Sequence, residues 1–395
     1  MIFNSSLTEL RDALKKTLPA LAAKSTIPIL EHLSFTLEGN NLKIVSTDQD
    51  ITIMSMLEVD GEEDGSVLIP GKKLNDIIRV LGSDGEIKFK VDEENFDIKF
   101  VSGSDKYSMK GIEPGEYLEL PELFQSNKPN FDGESIVNEI GSDEEAAFFK
   151  IDDLQTLANN TANSVSRDEF RPAMTGVLFQ FRSEMVSAVS TDSFRLSKIT
   201  VRSDKKNFPE ELDIIIPVKT IEMVKLFDSD VLVSFIKSNS KVTHIRFDVG
   251  NTIYISRIID EKFPPYESVI PTNNHLVAKV DKTLLLPAIK KVASCSNNIS
   301  KQIKIKFANN NMTLVGKDDD TGTDAVVNMS CEYNNEEEIE MGFNHAYLEQ
   351  AINNLIELEN NTFYFTFSES TKSALLLSSL ENTDILMLIM PVRIN

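Results

Sequence analysis

Three stretches of this chain read alike, so it is expected to fold as three copies of one unit. In the first, Ser34-Phe35-Thr36-Leu37 runs through Glu38-Gly39-Asn40-Asn41 into Leu42-Lys43-Ile44-Val45-Ser46-Thr47-Asp48. In the second, Val177-Leu178-Phe179-Gln180-Phe181 turns into Met185-Val186-Ser187-Ala188-Val189-Ser190-Thr191-Asp192. In the third, Ile303-Lys304-Ile305-Lys306-Phe307 passes Asn309-Asn310-Asn311 and continues as Met312-Thr313-Leu314-Val315-Gly316-Lys317-Asp318. Apolar alternation around a short Asn- or Gly-bearing turn predicts a β-hairpin in each copy.

The flanks recur as well. An amphipathic helix is expected before each hairpin, over Leu7–Ala23, Asp152–Ser166 and Asp281–Ser294. In the first, Leu7, Leu10, Leu14, Leu18 and Leu21 carry the helical spacing. A second helix is expected after each hairpin, over Lys72–Leu81, Lys219–Asp228 and Asn344–Leu358, followed by strands within Glu86–Met109, Val231–Ile259 and Thr362–Met390. Mixed helices and antiparallel strands place the chain in the α+β class. Each copy runs to roughly a hundred residues, a domain rather than a solenoid unit. Domains are expected over 1–122, 146–262 and 275–395. Gly111–Gly141 and Pro264–His275, rich in turn-forming residues, serve as connections. A head-to-tail contact between the third copy of one chain and the first copy of another would repeat the internal contact, and such contacts close into rings when the rotation permits.

Net charge is −22, which by itself speaks against nucleic acid. Its distribution matters more than the total. Taken as Leu7–Ala23, Lys72–Leu81, Asp152–Arg167, Lys219–Asp228, Asp281–Val292 and Asn344–Leu358, the helices hold 12 basic and 10 acidic residues; the remainder holds 28 and 52. A mildly basic helical layer against an acidic remainder fits a ring whose helices line its hole, and it equally fits the common tendency of helices to expose Lys and Arg. Arg11, Lys15, Lys16, Lys24, Lys72, Lys73, Arg79, Lys219, Lys225, Lys290 and Lys291 are the residues expected there. The surplus is small, and a ring that slides should hold duplex weakly and stay on by topology.

Little points to chemistry. His32, His244, His275 and His345 share no metal-ligand spacing with one another or with cysteine. Ser190-Thr191-Asp192 places hydroxyls beside a carboxylate, but Ser46-Thr47-Asp48 repeats it, which favours a structural turn. Asp318-Asp319-Asp320 lacks the spacing of a calcium loop, and Gly71-Lys72-Lys73 lacks the glycine-rich lead of a phosphate loop. No catalytic residue, metal or cofactor is expected. No apolar run reaches eighteen residues, no basic-then-apolar leader opens the chain, and Cys295 and Cys331 are too few for a disulfide framework. A cytoplasmic location is the expectation.

The chain resembles the bacterial DNA polymerase III β subunit, the β sliding clamp family, from Met1 to Asn395. The resemblance is carried by Thr26-Ile27-Pro28-Ile29-Leu30, Thr191-Asp192-Ser193-Phe194-Arg195-Leu196, Lys262-Phe263-Pro264-Pro265-Tyr266 and Ile389-Met390-Pro391-Val392-Arg393-Ile394, in order on a threefold repeat. It implies a DNA-clamp fold: three repeated domains per chain, helices lining a pore, antiparallel sheets outside. It implies a head-to-tail homodimer around double-stranded DNA, opened and closed by a clamp loader. It also implies docking of the replicative polymerase and repair proteins by short peptides. The implied peptide groove is Met174, Thr191, Ser193, Phe194, Arg195, Leu196, Pro264, Val269, Leu388, Met390 and Val392. Met, Leu and Val suit apolar anchors; Arg195 and the Thr191 hydroxyl are expected to hold polar groups at the rim. Implied DNA contacts are Lys24, Lys72, Asp168, Pro172 and Ala173, with Arg171 adjacent. At the subunit boundary the resemblance aligns Tyr107 and Met109 with Ser294 and Cys295 across it, the latter two where the family has bulky aliphatics. The alternatives are an acidic interaction scaffold that forms no ring, and a hydrolase.

Overall fold

The computed structural model of the chain describes residues 1–22, 26–82, 85–117, 149–151, 153–203, 208–227, 230–239 and 241–394. It divides into two compact units, residues 1–151 with 227–258, and residues 152–226 with 259–395.

The six expected helices are present: α1 (Leu7–Thr17), α2 (Gly71–Val80), α3 (Leu154–Thr161), α4 (Val218–Val224), α5 (Lys282–Ala293) and α6 (His345–Asn354). Helix α1 is shorter than its periodicity suggests. Pro19 has no N–H to continue the α pattern, and Leu18–Ala20 tightens into a 3₁₀ turn. Asp281 caps α5 by accepting from Thr283 N–H at 2.7 Å, and Asn344 caps α6 by accepting from Ala346 N–H at 3.0 Å.

The three hairpins are also present, in register. Phe35 faces Ile44, Phe179 faces Ala188, and Ile305 faces Leu314. The repeated Ser-Thr-Asp run explains how the first two hairpins meet their helices. Ser46 Oγ donates to the Thr17 carbonyl ending α1 at 2.5 Å, and Ser190 Oγ donates to the Thr161 carbonyl ending α3 at 2.6 Å. The third copy has Gly316 at that place, and a Cβ there would lie 1.9 Å from the Val292 carbonyl of α5. Helix and strand touch directly where the other copies use a hydroxyl. The aspartate closes the same turn each time: Asp48 accepts from Ile51 N–H at 2.8 Å, Asp192 from Phe194 N–H at 2.9 Å and Asp318 from Asp320 N–H at 3.2 Å.

In the first unit a five-stranded sheet runs Asp60–Glu63, Ile2–Ser6, Glu86–Val91, Asp97–Ser102, Asp105–Lys110. An eight-stranded sheet runs Phe149–Lys150, Val231–Ser238, Lys241–Val249, Thr252–Arg257, Ile51–Glu58, Asn41–Thr47, His32–Glu38, Gly65–Pro70. Phe3, Phe35, Phe89 and Phe100 fill the core with α1 and α2, Phe89 stacking between Phe3 and Phe100 at 5.0 Å from each.

The second unit has a nine-stranded sheet in the order Glu211–Pro217, Gly176–Arg182, Met185–Thr191, Arg195–Arg202, Ile385–Ile389, Ala374–Leu377, Thr362–Phe367, Leu276–Asp281, Glu332–Tyr333. Its four-stranded sheet runs Thr323–Ser330, Asn311–Asp318, Gln302–Ala308, Ile339–Asn344.

One junction occurs in both units. The strand after the first hairpin, Ile51–Glu58, pairs antiparallel with Thr252–Arg257, the last strand of the second copy. The strand after the second hairpin, Arg195–Arg202, pairs in the same way with Ile385–Ile389, the last strand of the third copy. Two strands of these types remain. Thr323–Ser330, after the third hairpin, and Asp105–Lys110, the last strand of the first copy, each form the outer edge of their sheet among the described residues.

Candidate functional site

The second unit carries the residues of the expected groove on and beside the junction of Arg195–Arg202 with Ile385–Ile389. Leu196 pairs with Leu388 in the ladder, and both are buried. Together with Leu178, Val189, Leu375, Leu377 and Leu386 they form an apolar floor. Phe263 and Tyr266 pack against it, and the Tyr266 hydroxyl donates to Gln180 Oε1 at 2.7 Å. Burial, reinforced by Glu267, pushes the Tyr266 phenol well above its ordinary value, so it stays a neutral donor. Exposed apolar groups stand around this floor: Phe194 at 60%, Val269 at 55% and Met390 at 45%. Val392 is also exposed, Pro264 is half-buried, and Met174 is buried with its sulfur 3.8 Å from Ser193 Oγ.

The loop Asp192–Phe194 is held by its own polar atoms. Thr191 Oγ1 donates to the Arg195 carbonyl at 2.7 Å and accepts from Ser193 N–H at 3.2 Å, with Ser193 at a φ of 77°. Arg195 points inward. Its Nε donates to Asp192 Oδ2 at 3.0 Å, its terminal nitrogens donate to the Asn163 carbonyl and to Gln350 Oε1, and its guanidinium stacks 4.3 Å over the Tyr347 ring. The Thr191 hydroxyl and the Arg195 guanidinium, expected at the rim for a ligand, are therefore engaged in building the loop. The rim group the loop presents is Phe194. A cleft of about 870 Å³ beside it is lined by Phe194, Arg195, Arg171, Tyr347 and Gln350, among others. Asn163, Tyr347 and Gln350 escaped sequence reasoning, because nothing in helical periodicity says which outward residue of α6 will meet a strand of the preceding copy.

The basic residues divide by role. Lys15, Lys72, Lys73, Arg79, Arg171 and Lys219 are exposed. Arg171 donates to Ser193 Oγ at 3.0 Å and pairs with Asp168 at 3.2 Å. Lys16 pairs with Asp12, Lys225 with Glu222 and Lys290 with Glu349. Arg11 is different: its Nη2 donates to the carbonyls of Ile78, Leu81 and Gly82 at 3.2, 3.3 and 2.8 Å, so it caps the carboxyl end of α2. Lys282 does the same for α6, donating to Leu355 O at 3.0 Å, and burial lowers its pKa. Lys24 lies outside the described residues. At the two outer edges, Tyr107 and Met109 are half-buried on Asp105–Lys110, with Tyr107 stacked on Phe100 at 5.2 Å. Ser294 is exposed and Cys295 half-buried at the end of α5, the helix packed against Thr323–Ser330.

No group of three or more His, Cys, Asp or Glu among the described residues could hold a metal ion. Asp318 is taken up by Asn297 Nδ2 at 3.1 Å and Thr321 Oγ1 at 2.9 Å, hydrogen bonds that hold its carboxyl below the ordinary range. No helix is long and apolar enough to cross a membrane among the described residues.

Known families match this chain in three successive pieces. The N-terminal domain of the DNA polymerase III beta subunit matches residues 1–121, its central domain 149–265 and its C-terminal domain 267–393. The chain belongs to the DNA polymerase III beta subunit family. The beta sliding clamp of Pseudomonas putida strain KT2440 is 24% identical over 391 residues, 97% of this chain and 98% of that protein. That of Chlamydia muridarum is 26% identical over 406 residues, covering both chains completely. Among solved structures, the DNA polymerase sliding clamp of Bacillus subtilis superposes over the full length of both chains with a TM-score of 0.85 at 22% identity. The Pseudomonas aeruginosa clamp does so with a TM-score of 0.83, also at 22%. The α+β architecture is thus the three-domain sliding-clamp fold, and the repeated junction is how this chain joins its domains.

Proposed function

We propose that this chain is one subunit of a DNA sliding clamp, a ring that encircles duplex DNA and tethers a replicative polymerase. The repeated junction carries the reading. In each unit the strand after a hairpin is paired by the last strand of the next copy. Thr323–Ser330 and Asp105–Lys110 are the two strands still open to that pairing among the described residues. A second chain supplies both missing partners at once, head to tail, and two such contacts close a ring. Tyr107, Met109, Ser294 and Cys295 then lie at the subunit boundary.

The exposed cations Lys15, Lys72, Lys73, Arg79, Arg171 and Lys219, together with Lys24, are the groups proposed to meet phosphate. Arg11 acts there through the end of α2 that it caps. Partners, namely the polymerase, the clamp loader and repair proteins, dock apolar peptide anchors against Phe194, Val269, Met390 and Val392 over the leucine floor. The protein works in the cytoplasm without cofactor, metal or chemical step of its own.

The experiment is topological. Chains loaded onto nicked circular DNA by a clamp loader should be retained through gel filtration and lost once the circle is cut by a restriction enzyme. Equal retention on circle and linear DNA would rule out encirclement.

A further inference from the structure

We propose that Gly342 seats the carboxyl-terminal tail and through it presents Met390 and Val392 to the groove, an inference that rests on the groove reading above. Gly342 sits inside the strand Ile339–Asn344, between Met341 and Phe343, which are both fully buried in the core. Alternation turns Gly342 to the opposite face, yet it too is buried. What covers it is the tail. The Val392 N–H donates to the Gly342 carbonyl at 2.9 Å, and the two residues form an antiparallel bridge on the strand's outer edge.

Glycine is there for room, not for torsional freedom. Gly342 is not among the residues with positive φ. A Cβ added to it would lie 2.7 Å from the Val392 carbonyl oxygen and 3.0 Å from Gln302 Nε2. The first of these is backbone, which cannot turn aside without moving the tail. Glycine inside a strand is otherwise a cost, and close backbone approach is the usual reason to keep one.

The rest of the tail is held from two directions. Gln302 Nε2 donates to the Arg393 carbonyl at 2.9 Å. At the other end the Met390 N–H donates to the Phe194 carbonyl at 2.8 Å, in the groove loop itself. Pro391 lies between and has no N–H to offer. Met390 and Val392 are thus suspended between the groove loop and Gly342.

The test uses the full chain, its Gly342→Ala and Gln302→Ala variants, and each substitution in a chain lacking Met390–Asn395. Amide exchange at Val392 reads the seat. Binding to the isolated replicative polymerase of the same organism, immobilised on a sensor, reads the presentation. Both substitutions should speed Val392 exchange by roughly tenfold, as local opening of a bridged tail does. Both should weaken polymerase binding by roughly fivefold, the scale of a lost interface contact. In the shortened chain neither should change binding further. Unaltered Val392 exchange in both variants overturns the seat. Faster exchange with unaltered polymerase affinity overturns the presentation; if removing Met390–Asn395 also leaves the affinity unaltered, it is the tail's place in the groove reading that was at fault. A further loss in the shortened chain overturns it too, because the effect would then run through the strand rather than the tail.

Discussion

Arg195→Ala should cost this protein stability before it costs it a partner. The Arg195–Asp192 pair is nearly enclosed, with side chains 10% and 12% exposed and 3.0 Å between Nε and Oδ2. A charge-assisted hydrogen bond of this kind is worth about 1.5–3 kcal/mol. Stacking on Tyr347 at 4.3 Å adds about 0.5–1 kcal/mol. Asp192 is not orphaned by the change, since it still accepts from the N–H groups of Phe194 and of residue 195, at 2.9 and 3.1 Å. The loss therefore stays at the low end of what severing a buried pair costs, about 3 kcal/mol. Urea unfolding of the variant, read from the midpoint at constant slope, measures it. Arg195→Lys should recover less than half, because an ammonium cannot reproduce the fork or the stacked plane. Phe194→Ala is the counterpart: it should change the unfolding free energy by less than about 0.5 kcal/mol and cost about 1–3 kcal/mol in polymerase affinity. If Arg195→Ala left the midpoint where it was and weakened the polymerase complex instead, the assignment of Arg195 to the interior of the loop would be wrong.

Three other outcomes are expected. Charges placed on both open edges, Met109→Asp with Val326→Asp, should halve the mass seen by light scattering from two chains to one while circular dichroism stays that of the folded chain; a persisting dimer would mean the edges are not the contact. Lys72→Ala with Lys73→Ala should weaken duplex retention and flatten its salt dependence, whereas Arg11→Ala should chiefly lower thermal stability, by about 1 kcal/mol as cap losses do; equal effects of all three on salt slope would contradict the capping role. Burial pushes the Cys331 thiol up to about 11, so in the single chain freed by the edge charges iodoacetamide at pH 8 should modify the half-buried Cys295 first, as peptide mass spectrometry would show. Because the raised value belongs to the folded state, the stability associated with the neutral thiol is complete below the ordinary thiol pKa and lost as pH rises towards about 11; a Cys331→Ala variant should lack that alkaline decline.

Much of the architecture was legible in the residues. Period-two alternation around Asn and Gly turns located the hairpins, and the leucine spacing of Leu7, Leu10 and Leu14 located α1. The Ser-Thr-Asp run announced a turn because short polar side chains bond their own backbone. These are local signals, determined by neighbours within a few residues, and the sequence carries them whole. It also carried the threefold repeat, and with it the expectation that one junction would recur.

What the tertiary structure decided is which groups are spent inside the fold and which remain outside. Periodicity marks Arg11 and Lys72 alike as basic helix residues; only the packing of α1 beside α2 engages Arg11 in capping, while Lys72 lies exposed. The same holds for Arg195, which the motif offers as a ligand group and which the Tyr347 ring and Gln350 of α6 draw inward. It holds for Gly342, whose strand gives no local sign of the tail that pairs with it. Such outcomes depend on segments brought together from far along the chain, where the choice among partners is made by close packing and by satisfying every enclosed polar group, and no window of neighbouring residues contains that information.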